Sequence, residues 1–185
     1  MNWRKNLLGI LVNTEEELFR YVRNELSNSN CVKTRTAAAI ARYELLSNKY
    51  LVLSLGSNSC APSGYEYGQK ILSCPRSAIK TGTGYELCAP IHAERMACLN
   101  ISTKMEPAEL HKFSSHLKMT REGIISVFSE EELKKLNGAT IYLAGHYWVC
   151  ESCKYFLNVV GIKDIKFDPE TAEKTRSDYV VKNIH

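Results

Sequence analysis

The stretch TRTAAAIARYELLSNKYLVLSLGSN, from Thr34 to Asn58, consists of two apolar runs separated by a polar turn. The first run ends at Glu44 and the second begins at Tyr50, so LLSNK supplies the turn. Two such runs around a short polar segment predict a pair of antiparallel strands. An alanine run is also compatible with a helix, and that alternative stays open for the first of the two segments.

Strand and helix patterns alternate in the last third of the chain. ATIYLAG (residues 139–145) predicts a strand, ESCKYFLNVVG (151–161) a short helix that ends at a glycine, and IKDIKFD (162–168) another strand. A strand, a helix and a strand joined by short connections are typical of a parallel crossover. Together the patterns predict an α/β sheet.

Capping signals indicate where two helices begin. Thr14 with Glu17, and Ser129 with Glu132, have the spacing of a capping box. The first pair is followed by apolar residues at every fourth position, which is typical of an amphipathic helix. The segment 59–89 shows no sustained period, and we expect it to be a long functional loop. Besides the helix 151–161, the predicted helices are residues 14–27, 92–101 and 129–138, and residues 101–123 predict only short helical pieces.

Composition limits the classes of protein to consider. With 185 residues, 44% of them hydrophobic, the chain suits one domain over residues 1–185. The net charge of +4 is mild and forms no basic stripe, so we expect a small-molecule substrate and no nucleic-acid partner. No apolar run could span a bilayer and no convincing signal peptide is present, so we expect no membrane association and a cytoplasmic location. Seven cysteines cannot form a complete disulfide framework, which favours metal binding or chemistry by thiols.

Four residues in two short motifs point to a metal centre. His92 and Glu94 lie two apart at the predicted start of a helix, in IHAERMA, and Cys150 and Cys153 form a CxxC between a predicted strand and a helix. A catalytic zinc ion uses three protein ligands and keeps a fourth position for water. His92, Cys150 and Cys153 match that count, and Glu94 is left as the catalytic carboxylate that moves a proton.

Each motif also has a simpler interpretation. The CxxC alone is equally compatible with a redox pair or with two small buried side chains. An isolated histidine such as His92 is usually a hydrogen-bonded core residue, and a glutamate in the position of Glu94 is favoured by the helix dipole. The two motifs together favour zinc, because neither simpler interpretation accounts for both.

At these residues the sequence resembles the zinc-dependent cytidine and deoxycytidylate deaminase superfamily, in which HxE and PCxxC motifs hold the metal. Val149 stands where that family usually has proline. The resemblance implies a three-layer α/β/α fold with a central five-stranded mixed sheet, and a homo-oligomer. It also implies activation by dCTP with Mg²⁺.

The resemblance extends from Thr34 to Asp168 and implies further site residues. Asn58, at the end of LSLGSN, would bind the sugar or phosphate of the substrate. Ala93 and Trp148 would also contact the substrate, although an aromatic residue beside a strand end is equally typical of core packing.

Three cations and several cysteines have weaker assignments. Candidate phosphate contacts are Arg35, Arg76 and Lys80, each of which is also compatible with a solvated surface charge. Cys60, Cys74 and Cys88 would hold a second, structural zinc ion, with Cys31 or a histidine as the fourth ligand. The alternative for these three residues is free buried thiols.

The function that we expect from the sequence is the deamination of dCMP to dUMP with release of ammonia, for thymidylate supply. Alternative substrates are dCTP, both nucleotides, another nucleoside, or a base in a nucleic acid. A non-catalytic domain stabilised by zinc and a redox CxxC protein are the alternatives from other classes.

Overall fold

The structure is a computed structural model and describes residues 9–79 and 83–183. The strands are β1 (Ile10–Val12), β2 (Ala37–Glu44), β3 (Lys49–Ser57), β4 (Ser59–Pro62), β5 (Cys88–Ile91), β6 (Thr140–Ala144) and β7 (Asp164–Phe167). The α-helices are α1 (Glu15–Glu25), α2 (Ala93–Leu99), α3 (Arg121–Ile125), α4 (Glu130–Leu136), α5 (Glu151–Val159) and α6 (Pro169–Asn183). Two 3₁₀ helices cover Leu26–Asn28 and Pro107–Phe113.

Five of the strands form one mixed sheet in the order β1-β3-β2-β6-β7. β2 is antiparallel to both β3 and β6, whereas β6 and β7 are parallel. The predicted antiparallel pair and the parallel crossover through α5 are both confirmed. The helical alternative for the alanine run is wrong, because that run forms the central strand β2.

The two faces of β2 pack into different parts of the core. Ala38 and Ile40 belong to a cluster with side chains of α2 and α5, whereas Ala37, Ala39 and Ala41 belong to a cluster with α1. Successive side chains of a strand point to opposite faces, so the run of alanines gives both faces a small, fully apolar surface. Helices can therefore approach the middle of the sheet closely.

Gly56 of β3 lies at a close approach of α2 to the sheet. A Cβ atom at this position would lie 2.4 Å from the backbone N of Ala97 and 2.7 Å from the backbone C of Met96. Only glycine leaves room for this contact. It fixes the position of α2, which carries part of the candidate site.

The segment 59–89 contains regular structure that the sequence did not predict. β4 and β5 pair as an antiparallel two-stranded ribbon separate from the main sheet, with Cys60 opposite Pro90 and Ala61 opposite Ala89. Each strand has only four residues, and the polar, Gly- and Pro-rich residues between them dominate the sequence pattern of the segment. The expectation of a long loop is therefore wrong at its two ends.

The predicted helix starts are found, with one difference. Ser129 and Glu132 form a complete capping box at α4. At α1, Thr14 accepts from the backbone N–H of Glu17, but Glu17 accepts from the backbone N–H of Asn13 and not from that of Thr14. Within the described residues, no helix is long and apolar enough to cross a membrane.

Candidate metal centre

The candidate metal centre lies where two helices begin. His92 is the residue immediately before α2, with φ −70° and ψ 157°, and Cys150 takes the same position before α5, with φ −68° and ψ 153°. Cys153 lies in the first turn of α5 and is fully buried. Strands β5 and β6 lead the chain to this point, so packing of α2 and α5 on one face of the sheet brings the two motifs together.

The three predicted ligands have the separations of a tetrahedral site. Nδ1 of His92 lies 3.6 Å from Sγ of Cys150 and 3.5 Å from Sγ of Cys153. Ligands at ordinary Zn–S and Zn–N distances on a tetrahedron have an N···S separation of roughly 3.6 Å. All three ligand atoms lie within 4.8 Å of one another, and no other such group of three or more occurs in residues 9–79 and 83–183. The donor set therefore fits a metal ion and is compatible with zinc.

The electrostatics of the site favour a thiolate before any metal binds. The hydrogen bond from Cys153, aided by the one with His92, lowers the pKa of Cys150 to about 4. A thiolate is the form of cysteine that binds zinc. Burial opposes the charged form of His92, but the hydrogen bond with Cys150 and the charge of Glu94 outweigh it and raise the pKa of His92. The imidazole and the thiolate thus form a preorganised pair.

Glu94 lines the same cleft as His92 and Cys150, and its carboxyl is the candidate proton carrier. Its side chain is buried, with 6% of the residue exposed. Burial raises the pKa of Glu94, and the nearby His92 only partly offsets this. A buried carboxyl with a raised pKa is suited to both accepting and donating a proton near neutral pH.

Two residues outside the predicted motifs hold the candidate metal ligands and their neighbours in place. The backbone N–H of His92 donates to Oγ of Ser115 at 2.8 Å, and Sγ of Cys153 lies 3.8 Å from the same oxygen. Arg95, only 1% exposed, donates through Nη1 to the carbonyl of Ser114 at 2.9 Å and through Nη2 to that of Ser152 at 3.2 Å. This guanidinium ties α2 to the segment of Ser115 and to the start of α5.

The cleft has a volume of about 310 Å³ and contains two of the three predicted substrate contacts. Trp148 lines it and is 49% exposed, so its ring is not a core residue. Asn58 also lines it, but its Oδ1 accepts from Thr36 at 2.8 Å and from Ser29 at 2.6 Å. Its Nδ2 donates to the carbonyl of Thr34. Ala93 is fully buried and is not among the described residues that line the cleft.

Cationic and aromatic side chains form the rim of the cleft. Arg76 lies 4.2 Å from the ring centroid of Tyr85, which in turn stacks on His116 at 5.4 Å. All three line the cleft, as does Lys33. Of the other predicted phosphate contacts, Arg35 is exposed and is not among the described lining residues, and Lys80 lies outside the described residues.

Three of the four cysteines named for a second zinc ion lie together in the structure. Cys60 and Cys88 are buried together, and Cys31 packs on them from the segment before β2. The hydrogen bond from Cys60 lowers the pKa of Cys31 to about 5, and another lowers the pKa of Cys88. Cys74 lines the cleft that contains His92 and Glu94. Among the described residues, these thiols are not part of a ligand group as compact as that of His92, and the second zinc ion stays a prediction.

No family model, curated protein or solved structure matches the chain.

Proposed function

We propose that the protein is a zinc-dependent hydrolase that deaminates a deoxycytidine nucleotide, with dCMP converted to dUMP and ammonia for thymidylate supply. One observation carries the proposal: the buried residue Glu94 lines the same cleft as His92 and Cys150, which form a three-ligand group with Cys153. A structural zinc site would be expected to have four protein ligands and no neighbouring acid.

The proposed fold is the three-layer arrangement of the cytidine deaminases. The five-stranded mixed sheet supports it, as do the separate apolar clusters that join α1 to one set of strand residues and α2 with α5 to the other. On this proposal the protein is also a homo-oligomer, regulated by a nucleotide effector with Mg²⁺.

Zinc held by His92, Cys150 and Cys153 would supply a Lewis acid and lower the pKa of a bound water toward neutrality. Glu94 takes a proton from the attacking water and gives it to the amine that leaves as ammonia. Ser115 fixes the backbone of His92, and Arg95 fixes Ser115 through its neighbour Ser114. Water adds to the ring carbon, the C–N bond breaks, and the exocyclic oxygen replaces the amine.

The cleft offers a place for each part of a nucleotide. Trp148 supplies an exposed aromatic wall for the base. Arg76 and Lys33 supply positive charge for a phosphate, although Nζ of Lys33 already donates to the carbonyl of Arg76. The amide of Asn58 is engaged with the backbone and with Ser29, so its proposed role changes from binding the sugar or phosphate to shaping the wall of the cleft.

Ammonia release from a panel of substrates tests the proposal. The panel consists of cytidine, deoxycytidine, CMP, dCMP, dCTP and short single-stranded DNA. We expect dCMP to be the best substrate. Turnover of the nucleosides alone would contradict a role for Arg76 and Lys33, and no turnover of any compound by zinc-loaded protein would contradict the proposed function.

The variant Glu94→Gln tests the role of the carboxyl. We expect kcat to fall by at least about 10²-fold, because the amide cannot accept or deliver the proton. The zinc content should stay at the level of the unmodified protein, since Glu94 is not a ligand. Glu122→Gln, a change of an exposed acid outside the cleft, should leave kcat unchanged.

A further inference from the structure

A second and larger cavity lies behind the metal cleft. Its volume is about 760 Å³, against about 310 Å³ for the cleft that contains His92 and Glu94. The ribbon of β4 and β5 separates the two. Ser59, Ala61 and Ala89 line the larger cavity, and the alternating residues Cys60, Cys88 and Pro90 line the cleft.

Helix α2 also has residues that line each of the two spaces. Glu94 lines the cleft, whereas Met96 and Asn100 line the larger cavity. The end of α1 and the 3₁₀ helix Pro107–Phe113 close the cavity from the other sides through Glu25 and Leu110. The cavity therefore lies between well-defined elements, and its size is in the range of small-molecule sites.

A buried amide in the wall lacks one hydrogen bond. Asn100 is 9% exposed, and its Nδ2 donates to the carbonyl of Leu55 at 2.6 Å. Its buried Oδ1 has no hydrogen-bond partner within the described residues. This oxygen is enclosed by the protein, so the hydrogen bonds to an occupant come from other groups of the wall.

The charges of the cavity wall set the kind of occupant. Glu25, which is 6% exposed, and Glu66 both line it, whereas the described lining residues include no lysine or arginine. This excess of acceptors disfavours a phosphate group. Tyr65, which is 42% exposed, and Tyr67 present aromatic surface at the same place.

From this wall we propose that the larger cavity is a second ligand site, which takes a small amino-substituted nitrogen heterocycle without a phosphate group. Its amine and ring N–H groups meet the carboxylates of Glu66 and Glu25, and its ring lies against Tyr65. The proposal is independent of the chemistry at the metal centre.

The probe for this site is 2-aminopurine riboside, a fluorescent heterocycle with an amino group. Titrated into the zinc-loaded full chain, it should show saturable quenching by the tyrosine rings. Its 5′-monophosphate should bind at least about tenfold more weakly, because the phosphate meets the carboxylates.

Two pairs of variants locate the bound probe. Ala108→Trp fills the cavity from an exposed wall position and should abolish binding, whereas Lys112→Trp, on the same 3₁₀ helix but outside the lining, should not. Tyr65→Ala should weaken binding about tenfold through lost stacking, and Tyr65→Phe should retain it. Circular dichroism and zinc content show that each variant is folded.

Three results would overturn the proposal. The first is no saturable quenching up to about 1 mM probe, the weakest affinity that a specific site would show. The second is equal binding to Ala108→Trp and the unmodified chain, which would place the probe in the metal cleft. The third is a dimer in sedimentation that Ala108→Trp disperses, which would assign the cavity to contact with a second copy.

Discussion

At the scale of single residues, the metal ligands depend on groups that carry no recognisable motif. Arg95 follows Glu94 directly, and its guanidinium reaches three backbone carbonyls and the side chain of Ser152. From sequence alone, an arginine on a helix is expected to be solvated. Its neighbours come from positions 18 to 57 residues away, so only the folded chain identifies them.

Replacement of Arg95 by methionine should weaken zinc binding by about 10- to 100-fold, the usual effect of losing support behind metal ligands. The methionine fills the space but leaves the carbonyls of Phe113 and Ser114 without donors, so Ser115 is no longer fixed against His92. Competition with a chelator measures the affinity. Arg121→Met, at an exposed position, is the control. Unchanged zinc affinity in a folded Arg95→Met protein would contradict the role of Arg95.

At the scale of elements, sequence patterns predicted the segments whose period or cap is local. β2, β3, β6, β7, α1, α2, α4 and α5 correspond to predicted elements, because apolar runs, capping residues or a terminal glycine mark them in the sequence. β1, β4, β5 and α6 were not predicted. β1, β4 and β5 have only three or four residues, too few for a recognisable alternation; β7 is equally short but follows a predicted helix in the pattern of a crossover. α6 has no apolar stripe in its sequence.

The variant Gly56→Ala tests the contact between β3 and α2. Its Cβ would lie within 3 Å of the backbone of Met96 and Ala97, so α2 must move. We expect a loss of about 1–3 kcal/mol in the free energy of unfolding, as for other overpacked positions. Urea denaturation measures it. Gly123→Ala in α3 meets only Thr120 at 3.3 Å and should be neutral or stabilising; an equal loss in both variants would refute the explanation.

The first turn of α4 should make stability depend on pH through Glu132. Burial raises the pKa of this carboxyl, but hydrogen bonds from the backbones of Ser129 and Thr103 outweigh it, so the net pKa is lowered. The carboxylate therefore stabilises the fold above its unfolded pKa of about 4.3, and this contribution is lost as pH falls through the lower folded value.

Glu132→Gln should accordingly cost about 1–3 kcal/mol at pH 7, since its amide nitrogen cannot accept a hydrogen bond. The difference from the unmodified protein should shrink as the pH is lowered below 4, because both proteins then lack the carboxylate. Thermal unfolding between pH 3 and pH 7 measures both effects. Glu130→Gln, an exposed neighbour, should change little; a pH-independent difference for Glu132→Gln would argue against the explanation.

At the scale of the whole molecule, the sequence predicted that His92, Cys150 and Cys153 lie close enough to hold a metal ion, but not what surrounds them. Two short motifs sufficed for this, because their spacing reflects helix starts. The larger cavity, and the meeting of Cys31 with Cys60, arise from packing between distant segments. No local sequence pattern indicates such packing.

On the proposed function, removal of zinc should destabilise the entire fold, because His92 precedes α2 and the two cysteines lie at the start of α5. At a free zinc concentration of about 100 times Kd, binding contributes roughly 2.7 kcal/mol to the free energy of unfolding. A strong chelator should therefore lower Tm, and Cys153→Ser should lower it without further loss on chelation. Cys74→Ser is the control and should keep one zinc ion per chain. A chelator-insensitive Tm would contradict the metal centre.

The alternating walls of the β4–β5 ribbon have a consequence for how the protein tolerates mutation. Substitutions at Ser59, Ala61 and Ala89 alter only one space, and those at Cys60, Cys88 and Pro90 only the other, so the two can diverge separately. Insertion or deletion of a single residue is different, because it turns every following side chain of the strand to the opposite face. Lineages of this chain should therefore vary freely in the composition of the ribbon while keeping its length fixed.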